Sequence, residues 1–248
     1  MLTIVMPMSG EGKSFADRGY KFPKPLVEIS GRPMIEWVLS GLRIAEPHRF
    51  IFICAEEHIR RFAMGDVLNL LAPGSIVIPV SKPTSGALCS VLLASEFLNV
   101  ESELVIANAD QVVDIPFDHF LETARRPDTA GCILTFPSTH PKWSFAKEVD
   151  GVVVAVAEKR PISNQATAGI YYFRSGQEFL KAAEQVILKN AALMGEFFVA
   201  PVYNELILQG SRVTTYPVTR EQMHSLGTPE DTATFVEMRR PFPESEHR

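Results

Sequence analysis

The chain has 248 residues, of which 46% are hydrophobic and 21% are charged, and its formal net charge is −5. This composition is ordinary for a globular enzyme, and the length allows a sizeable core. The acidic balance and the absence of a long Lys/Arg run argue against a general nucleic-acid-binding protein, since such proteins neutralise phosphates with a strongly basic surface.

The first predicted element is a buried strand from Leu2 to Met8, which breaks directly into a loop rich in glycine and lysine. The glycines and lysines of this loop are Gly10, Gly12, Lys13, Gly19, Lys21 and Lys24. Glycines allow backbone N–H groups to approach an anion closely and lysines add charge, so the loop suits a polyphosphate. The glycine spacing alone is equally compatible with an ordinary turn that carries solvated lysines.

Two known phosphate-binding loops do not fit this stretch. The segment Gly12-Lys13-Ser14 resembles the end of a P-loop, but Pro7 occupies the position of the required first glycine. The Rossmann fingerprint lacks its last glycine. Neither pattern is predicted to lead into a helix, because the chain is expected to stay irregular until Gly31-Arg32-Pro33. A P-loop-type kinase is therefore a weak alternative.

Hydrophobic periodicity predicts alternating helices and strands after this loop. The predicted elements are a helix from Pro33 to Ala45, a strand from Arg49 to Cys54, a helix from Glu56 to Leu71 weakly interrupted at Gly65, and a strand from Ser75 to Val80. This alternation is typical of a doubly wound α/β sheet, in which ligands bind at the carboxyl ends of the strands. The opening loop lies at such an end.

The second half is predicted to contain further strands and helices, followed by a polar tail. Strands are predicted at Glu103–Ala107, Ala130–Phe136, Val152–Ala157, Ala166–Phe173 and Arg212–Val218. Helices are predicted at Ile115–Arg126 and Gly176–Asn190, a third helix is predicted to follow Phe198 and end at Leu208, and a fourth is predicted to begin after its cap, Thr228. Residues 1–239 are expected to form one domain. Residues 240–248 are polar and lack periodicity, which predicts a disordered tail.

A carboxylate follows one of the buried strands. The strand from Glu103 to Ala107 ends in Asn108-Ala109-Asp110-Gln111. A carboxylate just past a strand end can hold a divalent cation that bridges phosphate oxygens. The alternative for Asp110 is an Asx-type turn or a helix cap.

The three cysteines, Cys54, Cys89 and Cys132, are widely spaced and lie in or beside apolar segments. Neither zinc-ligand spacing nor a disulfide framework is visible, so we interpret them as small buried residues in a reducing compartment. The N-terminus lacks the basic region of a signal peptide, and no apolar run reaches the roughly 18 residues of a membrane span. We therefore expect a cytoplasmic protein that does not bind membranes.

Three motifs, in this order and spacing, resemble the signature of sugar-phosphate nucleotidylyltransferases. They are Ser9-Gly10-Glu11-Gly12-Lys13, Pro23-Lys24-Pro25-Leu26 and Gly31-Arg32-Pro33-Met34. The resemblance implies a Rossmann-like three-layer α/β/α fold with a mixed, mostly parallel central sheet. It also implies that an acceptor phosphate attacks the α-phosphorus of an NTP, which gives an NDP-activated product and pyrophosphate. Such chemistry needs Mg²⁺ and positioning but no protein nucleophile.

The resemblance also assigns roles to individual residues. Implied catalytic residues are Lys13, Lys24 and Asp110, with Asp110 as the metal ligand. Implied nucleotide-binding residues are Met8, Ser9, Gly10, Gly12, Thr84 and Gly86. Implied acceptor-binding residues are Glu158, Lys159, Thr167, Gly169 and, as a secondary candidate, Glu196. The expected partners are an NTP and a small phosphorylated acceptor, and a homo-oligomer is possible.

Two positions depart from the family pattern. Ser14 stands where relatives carry an arginine, with Lys13 one residue earlier as its substitute and Arg18 as a reserve cation. Ser225 or Leu226 stands where many relatives carry a second metal-binding aspartate. These departures leave open a nucleotide-sugar-binding protein without transferase activity, and the sequence does not name the nucleobase or the acceptor.

Overall fold

The computed structural model describes residues 1–99 and 102–239, so the predicted disordered tail, 240–248, lies outside the described residues. The strands are β1 (Leu2–Met8), β2 (Glu28–Ile29), β3 (Arg32–Pro33), β4 (His48–Ala55), β5 (Ile76–Val80), β6 (Glu103–Ala107), β7 (Gln111–Val113), β8 (Thr129–Pro137), β9 (Ser144–Val149), β10 (Val152–Glu158), β11 (Gln165–Phe173), β12 (Arg212–Pro217) and β13 (Met223–Ser225). The helices are α1 (Lys13–Ala16), α2 (Met34–Ser40), α3 (Glu56–Phe62), α4 (Met64–Leu71), α5 (Ala87–Leu92), α6 (Phe117–Ala124), α7 (Gly176–Leu188), α8 (Val202–Leu208) and α9 (Pro229–Arg239), with short 3-10 turns at Lys24–Leu26 and Ser95–Phe97.

The central sheet is mixed, with the strand order β10-β9-β11-β6-β1-β4-β5 and with β8 joining β11 to β12. Strands β6, β1, β4 and β5 run parallel to one another. Strand β11 is antiparallel to all three of its partners: it pairs with β6 and β9 along one edge and with β8 along the other. The predicted Rossmann-like α/β architecture with a mixed sheet is confirmed.

Both faces of the sheet are covered, which gives the predicted three layers. Successive residues of β1 point to opposite faces, so Ile4 and Met6 enter one core cluster and Val5 enters the other. The first cluster contains apolar side chains of α2, α4 and α6, and the second contains those of α5, α7 and α8. A sheet buried on both faces explains why its central strands are almost continuously apolar.

The predicted helix from Glu56 to Leu71 is two helices, and the break is not at Gly65. The chain turns at Ala63, whose φ of 49° is left-handed, whereas Gly65 lies inside α4. A non-glycine residue in this conformation is uncommon, so sequence reasoning placed the interruption at the glycine. The helix predicted from Pro33 to Ala45 ends at Ser40, although Leu42 is still buried.

The prediction that the glycine-rich loop leads into no helix is also wrong. Gly12 has a left-handed φ of 62°, and its carbonyl accepts hydrogen bonds from the N–H groups of Phe15 and Ala16. The single turn α1 follows directly. It is held in place by Phe15, whose ring is buried.

A small antiparallel ribbon of β7 and β13 was not predicted. It pairs Gln111 with Ser225 and Val113 with Met223. The N–H of Leu226 then donates to the carbonyl of Asp110 at 2.7 Å. The ribbon therefore brings the chain around residue 226 beside Asp110, more than a hundred positions earlier in the sequence.

Tyr203 of α8 joins a helix layer to the sheet. Its ring is fully buried and stacks on Phe173 at a centroid distance of 4.4 Å, and its hydroxyl donates to the carbonyl of Tyr172 at 2.8 Å. We expect Tyr203→Ala to lower the free energy of unfolding by about 3–5 kcal/mol through cavity formation. The matched variant Tyr203→Phe removes only the hydroxyl and should cost about 1 kcal/mol. Urea unfolding of both variants is the measurement, and equal losses would contradict this division.

Candidate active site

The predicted catalytic lysine and carboxylate meet at the carboxyl edge of the sheet. Strands β1 and β6 are parallel neighbours, so the glycine-rich loop after Met8 and the turn that carries Asp110 leave the sheet at the same edge. The Nζ atom of Lys24 lies 2.5 Å from Oδ2 of Asp110. The two side chains are 20% and 27% exposed, so the ion pair is partly shielded yet open to a ligand.

The turn that carries Asp110 is held by a close contact with Gly169 of β11. The N–H of Asn108 donates to the carbonyl of Gly169 at 2.9 Å, and the amide of Asn108 donates to Oε1 of Gln111 at 3.2 Å. A Cβ atom on Gly169 would lie 1.7 Å from Oε1 of Gln111 and 2.5 Å from Nδ2 of Asn108, and the φ of Gly169 is 69°. Both the space and the backbone therefore require glycine here.

A first cavity of about 530 Å³ lies on the glycine-rich loop and is called the nucleotide-side cavity here. It is lined by Pro7, Ser9, Gly10, Glu11, Gly12, Lys13, Pro83, Thr84, Gly86, Ala87, Ser90, Glu196 and Phe198. All the predicted nucleotide-binding residues except Met8 are in this lining. Met8 lines a smaller cavity of about 260 Å³ together with Lys24 and Asp110.

Ser90 of α5 is a wall residue that sequence reasoning missed. Its hydroxyl lies 2.7 Å from Oγ1 of Thr84 and 3.2 Å from Oγ of Ser9. It thus connects the two loops of the nucleotide-side cavity. A serine inside a short apolar helix carries no signal in the sequence that would have marked it.

The cations of the opening loop occupy different places. Lys13 lines the nucleotide-side cavity, and its Nζ lies 3.2 Å from Oε2 of Glu11, with both side chains mostly exposed. Arg18 pairs with Glu230 at 2.5 Å. Ser14, at the position of the family arginine, donates to the carbonyl of Gly227 at 3.0 Å. Of Lys13 and Arg18, Lys13 is the one that lines this cavity, and its role as the substitute for that arginine stays a prediction.

A second cavity, of about 360 Å³, holds the remaining charged residues and is called the acceptor-side cavity. It is lined by the predicted residues Lys24, Asp110, Glu158, Lys159, Thr167 and Gly169, and by Lys142, Trp143, Ser144, Phe198 and Asp231 among others. Trp143 also packs edge-on against Phe136 at 5.3 Å, so it belongs both to the wall and to the core. Sequence reasoning had not selected Lys142, Ser144 or Asp231.

Glu158 and Lys159 lie side by side in this cavity. Strand β10 ends at Glu158, and the left-handed φ of 52° at Lys159 breaks the alternation of side chains, so both reach the same space. Burial raises the pKa of the Glu158 carboxyl above its ordinary value, and a hydrogen bond from Ser144 opposes this shift. The ammonium of Lys159 lies 4.9 Å from the ring of Phe198.

Glu196 lines the nucleotide-side cavity and not the acceptor-side cavity. The segment around Glu196 is hydrogen-bonded to the chain at the start of α5. The N–H of Phe197 donates to the carbonyl of Ser85 at 2.8 Å, and the N–H of Leu88 donates to the carbonyl of Phe197 at 3.0 Å. Gly86, with a φ of 104°, allows this approach, since a Cβ atom there would lie 2.5 Å from the Phe197 carbonyl oxygen. The role of Glu196 toward the acceptor stays a prediction.

The sequence matches the model of the nucleotidyl transferase family over residues 3–200. The chain belongs to this family. It is accordingly a nucleotidyltransferase, which argues against the kinase and against a protein that only binds nucleotide sugars. A search of curated sequences gives no significant match. In the part of the chain that the structure describes, no helix has the length and apolarity needed to cross a membrane.

Solved structures support the same fold. The chain resembles a nucleoside-diphosphate-sugar pyrophosphorylase from Vibrio cholerae, with 24% identity, coverage of 94% of this chain and 99% of the other, and a TM-score of 0.80. The inositol-1-phosphate CTP transferase from T. maritima has 16% identity, coverages of 95% and 94%, and a TM-score of 0.75. A UTP-bound UGPase from Acinetobacter baumannii has 16% identity, coverages of 96% and 93%, and a TM-score of 0.71.

The raised pKa of Glu158 predicts a pH-dependent loss of stability. A folded-state pKa above the unfolded value contributes stability that is present at low pH and is lost as the pH rises through the folded pKa. Glu158→Gln cannot ionise, so at pH 7 it should unfold at a higher temperature than the wild type, and the difference should vanish near pH 4. Thermal unfolding across this pH range is the measurement.

The control for this experiment is Glu57→Gln on α3, since a hydrogen bond from Arg61 lowers the pKa of Glu57. That variant should show no stabilisation at pH 7. An unchanged or lower unfolding temperature for Glu158→Gln at pH 7 would contradict the burial of a charged carboxylate.

Proposed function

We propose that this nucleotidyltransferase joins an NTP to a sugar 1-phosphate or a similar small phosphate, releasing pyrophosphate and an NDP-activated product. The observation that carries the proposal is the position of the Lys24–Asp110 ion pair. Both residues line the cavity that contacts the glycine-rich loop and the cavity that contains Glu158 and Lys159. A nucleotide and an acceptor in these cavities would have their phosphates beside one ammonium and one carboxylate.

The glycine-rich loop is suited to the triphosphate. Gly10 and Gly12 line the nucleotide-side cavity, and Lys13 adds an exposed positive charge to the same lining. Lysine neutralises a phosphate without the two-pronged contact of arginine, so we expect weaker transition-state stabilisation than in arginine-bearing relatives. Glu11 is turned toward Lys13 and solvent, which reduces its repulsion of the ligand.

The residues around Asp110 fit Mg²⁺. This ion prefers carboxylate oxygens, keeps several waters and commonly uses only one or two carboxylates together with substrate phosphates. Among the described residues, no group of three or more His, Cys, Asp or Glu side chains is placed to hold a metal. When bound, Mg²⁺ supplies charge neutralisation at the phosphoryl oxygens. Lys24, now on Asp110, can then turn to a phosphate oxygen.

The acceptor-side cavity offers groups of both signs. The Glu158 carboxylate is suited to accept hydrogen bonds from hydroxyl groups, and the Lys159 ammonium is suited to a phosphate. Thr167 and Gly169 form the floor on β11. We also propose that residues 1–239 act as one domain, because the acceptor-side cavity takes wall residues from both the N-terminal and the C-terminal half. A cytoplasmic location remains a prediction.

The test is pyrophosphate release from each NTP with a panel of phosphorylated acceptors in Mg²⁺. The similar proteins of known structure are associated with CTP, UTP, inositol 1-phosphate and nucleoside-diphosphate sugars, so the panel must span bases and acceptors. Asp110→Asn should abolish turnover and leave the fold intact, because it removes one charge at a strand end and no core contact. Wild-type-like release by this variant at limiting Mg²⁺ would overturn the role of Asp110.

Lys159→Ala should mainly weaken the use of the acceptor. Its ammonium lies in the acceptor-side cavity, so the KM for the acceptor should rise by roughly tenfold or more while the KM for the NTP changes little. Lys147→Ala, a surface lysine of β9, is the matched control. If the KM for the NTP rose alone, the division of the site into two cavities would be wrong.

A further inference from the structure

The position expected for a second metal-binding aspartate holds no carboxylate. Leu226 is buried, and its N–H is bonded to the carbonyl of Asp110. Ser225 offers only a neutral hydroxyl, which accepts from the N–H of Gly227 at 3.3 Å and donates to Oδ2 of Asp231 at 2.8 Å. The hydroxyl of Ser225 is therefore hydrogen-bonded to the carboxylate of Asp231, which lies in the following helix, α9.

Asp231 is held in this place by the start of α9. Thr228 caps the helix, as predicted, and its Oγ1 accepts from the N–H of Asp231 at 3.1 Å. This bond uses the backbone of Asp231 and leaves its carboxylate free to point at Ser225. The carboxylate lines the acceptor-side cavity and is 24% exposed.

The carboxylates of Asp110 and Asp231 converge on one small space. A Cβ atom on Gly227 would lie 3.6 Å from Oδ2 of Asp110, 3.5 Å from Oδ2 of Asp231 and 3.4 Å from Oγ of Ser225. Gly227 does not have a left-handed φ, so its backbone does not demand glycine. What the missing side chain provides is an open gap between three oxygen atoms.

Both carboxylates already have cationic neighbours. The Nζ atom of Lys24 lies 2.5 Å from Oδ2 of Asp110, and Nζ of Lys142 lies 3.6 Å from Oδ1 of Asp231, whereas Ser225 contacts Oδ2. Two carboxylate oxygens and a hydroxyl around one gap form an oxygen-only donor set, which Mg²⁺ and Mn²⁺ prefer. If Lys24 and Lys142 turned to phosphate oxygens, the carboxylates of Asp110 and Asp231 would be free to bind the cation.

We propose that Asp231 is the second carboxylate of the Mg²⁺ site, in place of the aspartate missing at Ser225 or Leu226. The inference rests on the proposed function, because that function supplies the metal at Asp110. In this proposal the carboxylate comes from the first turn of α9, is oriented by its hydrogen bond from Ser225, and binds the cation in the gap beside Gly227.

The test measures Mn²⁺ binding to the full-length protein by the loss of the free-ion electron paramagnetic resonance signal. Asp110→Asn and Asp231→Asn should each weaken Mn²⁺ binding by roughly tenfold or more, since each removes one carboxylate charge from the donor set. Glu230→Gln is the matched control, because Glu230 is the adjacent acid of the same turn and pairs with Arg18 at the surface. It should bind Mn²⁺ as the wild type does.

Two further variants separate a metal ligand from a purely structural residue. Gly227→Ala adds a methyl group at ordinary contact distance, so it should fold normally and still weaken Mn²⁺ binding by filling the gap. In the Asp231→Asn background, Ser225→Asp should recover much of the affinity by restoring a carboxylate beside the same space. Thermal unfolding of each variant verifies that the fold is retained.

Wild-type-like Mn²⁺ binding by Asp231→Asn, together with a loss in Asp110→Asn, would overturn the inference and leave the proposed function intact. Equal loss in Glu230→Gln would also overturn it, because the effect would then be general electrostatics of the helix start. Since the readout is metal binding and not turnover, the proposed function is judged separately by pyrophosphate release.

Discussion

The candidate active site depends on the close packing of the Asn108 and Gln111 side chains against the backbone of Gly169. Asn108 and Gln111 lie directly over Gly169, and any side chain on Gly169 would collide with them. The contact lies where β11 meets the end of β6 in antiparallel pairing, with Ile170 opposite Ala107. It fixes the turn between β6 and β7, and that turn carries both Asp110 and the start of the ribbon that brings in β13.

Charge in the acceptor-side cavity is balanced by paired groups. Its described lining contains three lysines and three carboxylates: Lys24, Lys142, Lys159, Asp110, Glu158 and Asp231. Lys24 pairs with Asp110 and Lys142 pairs with Asp231, so these four charges have partners in a partly buried space, where an isolated charge would be costly. In the proposed complex, a phosphate with a divalent cation brings both signs at once, so the two ion pairs could exchange partners without leaving a charge uncompensated.

The features that could be predicted from the sequence are those encoded locally. The buried strands, the glycine-rich loop, the carboxylate after β6 and the cap of α9 each reside in a few consecutive residues with a characteristic pattern. The ribbon of β7 and β13 could not be predicted, because its strands have three residues each and show no periodicity. Lys142, Ser90 and Asp231 were also missed, but for a different reason. Their proximity to the site depends on pairings between distant segments, and their residue types are common at surfaces and helix starts.

The ribbon also bears on how relatives of this protein are compared. The family match ends at residue 200, whereas one wall of the acceptor-side cavity is built from Ser225, Gly227, Thr228 and Asp231. Two members of the family can therefore agree over the whole matched region and still differ in the groups that line this cavity. The end of β13 and the start of α9 line the acceptor-side cavity, just as the glycine-rich loop lines the nucleotide-side cavity, so a cavity wall can vary in a segment that the family match does not include.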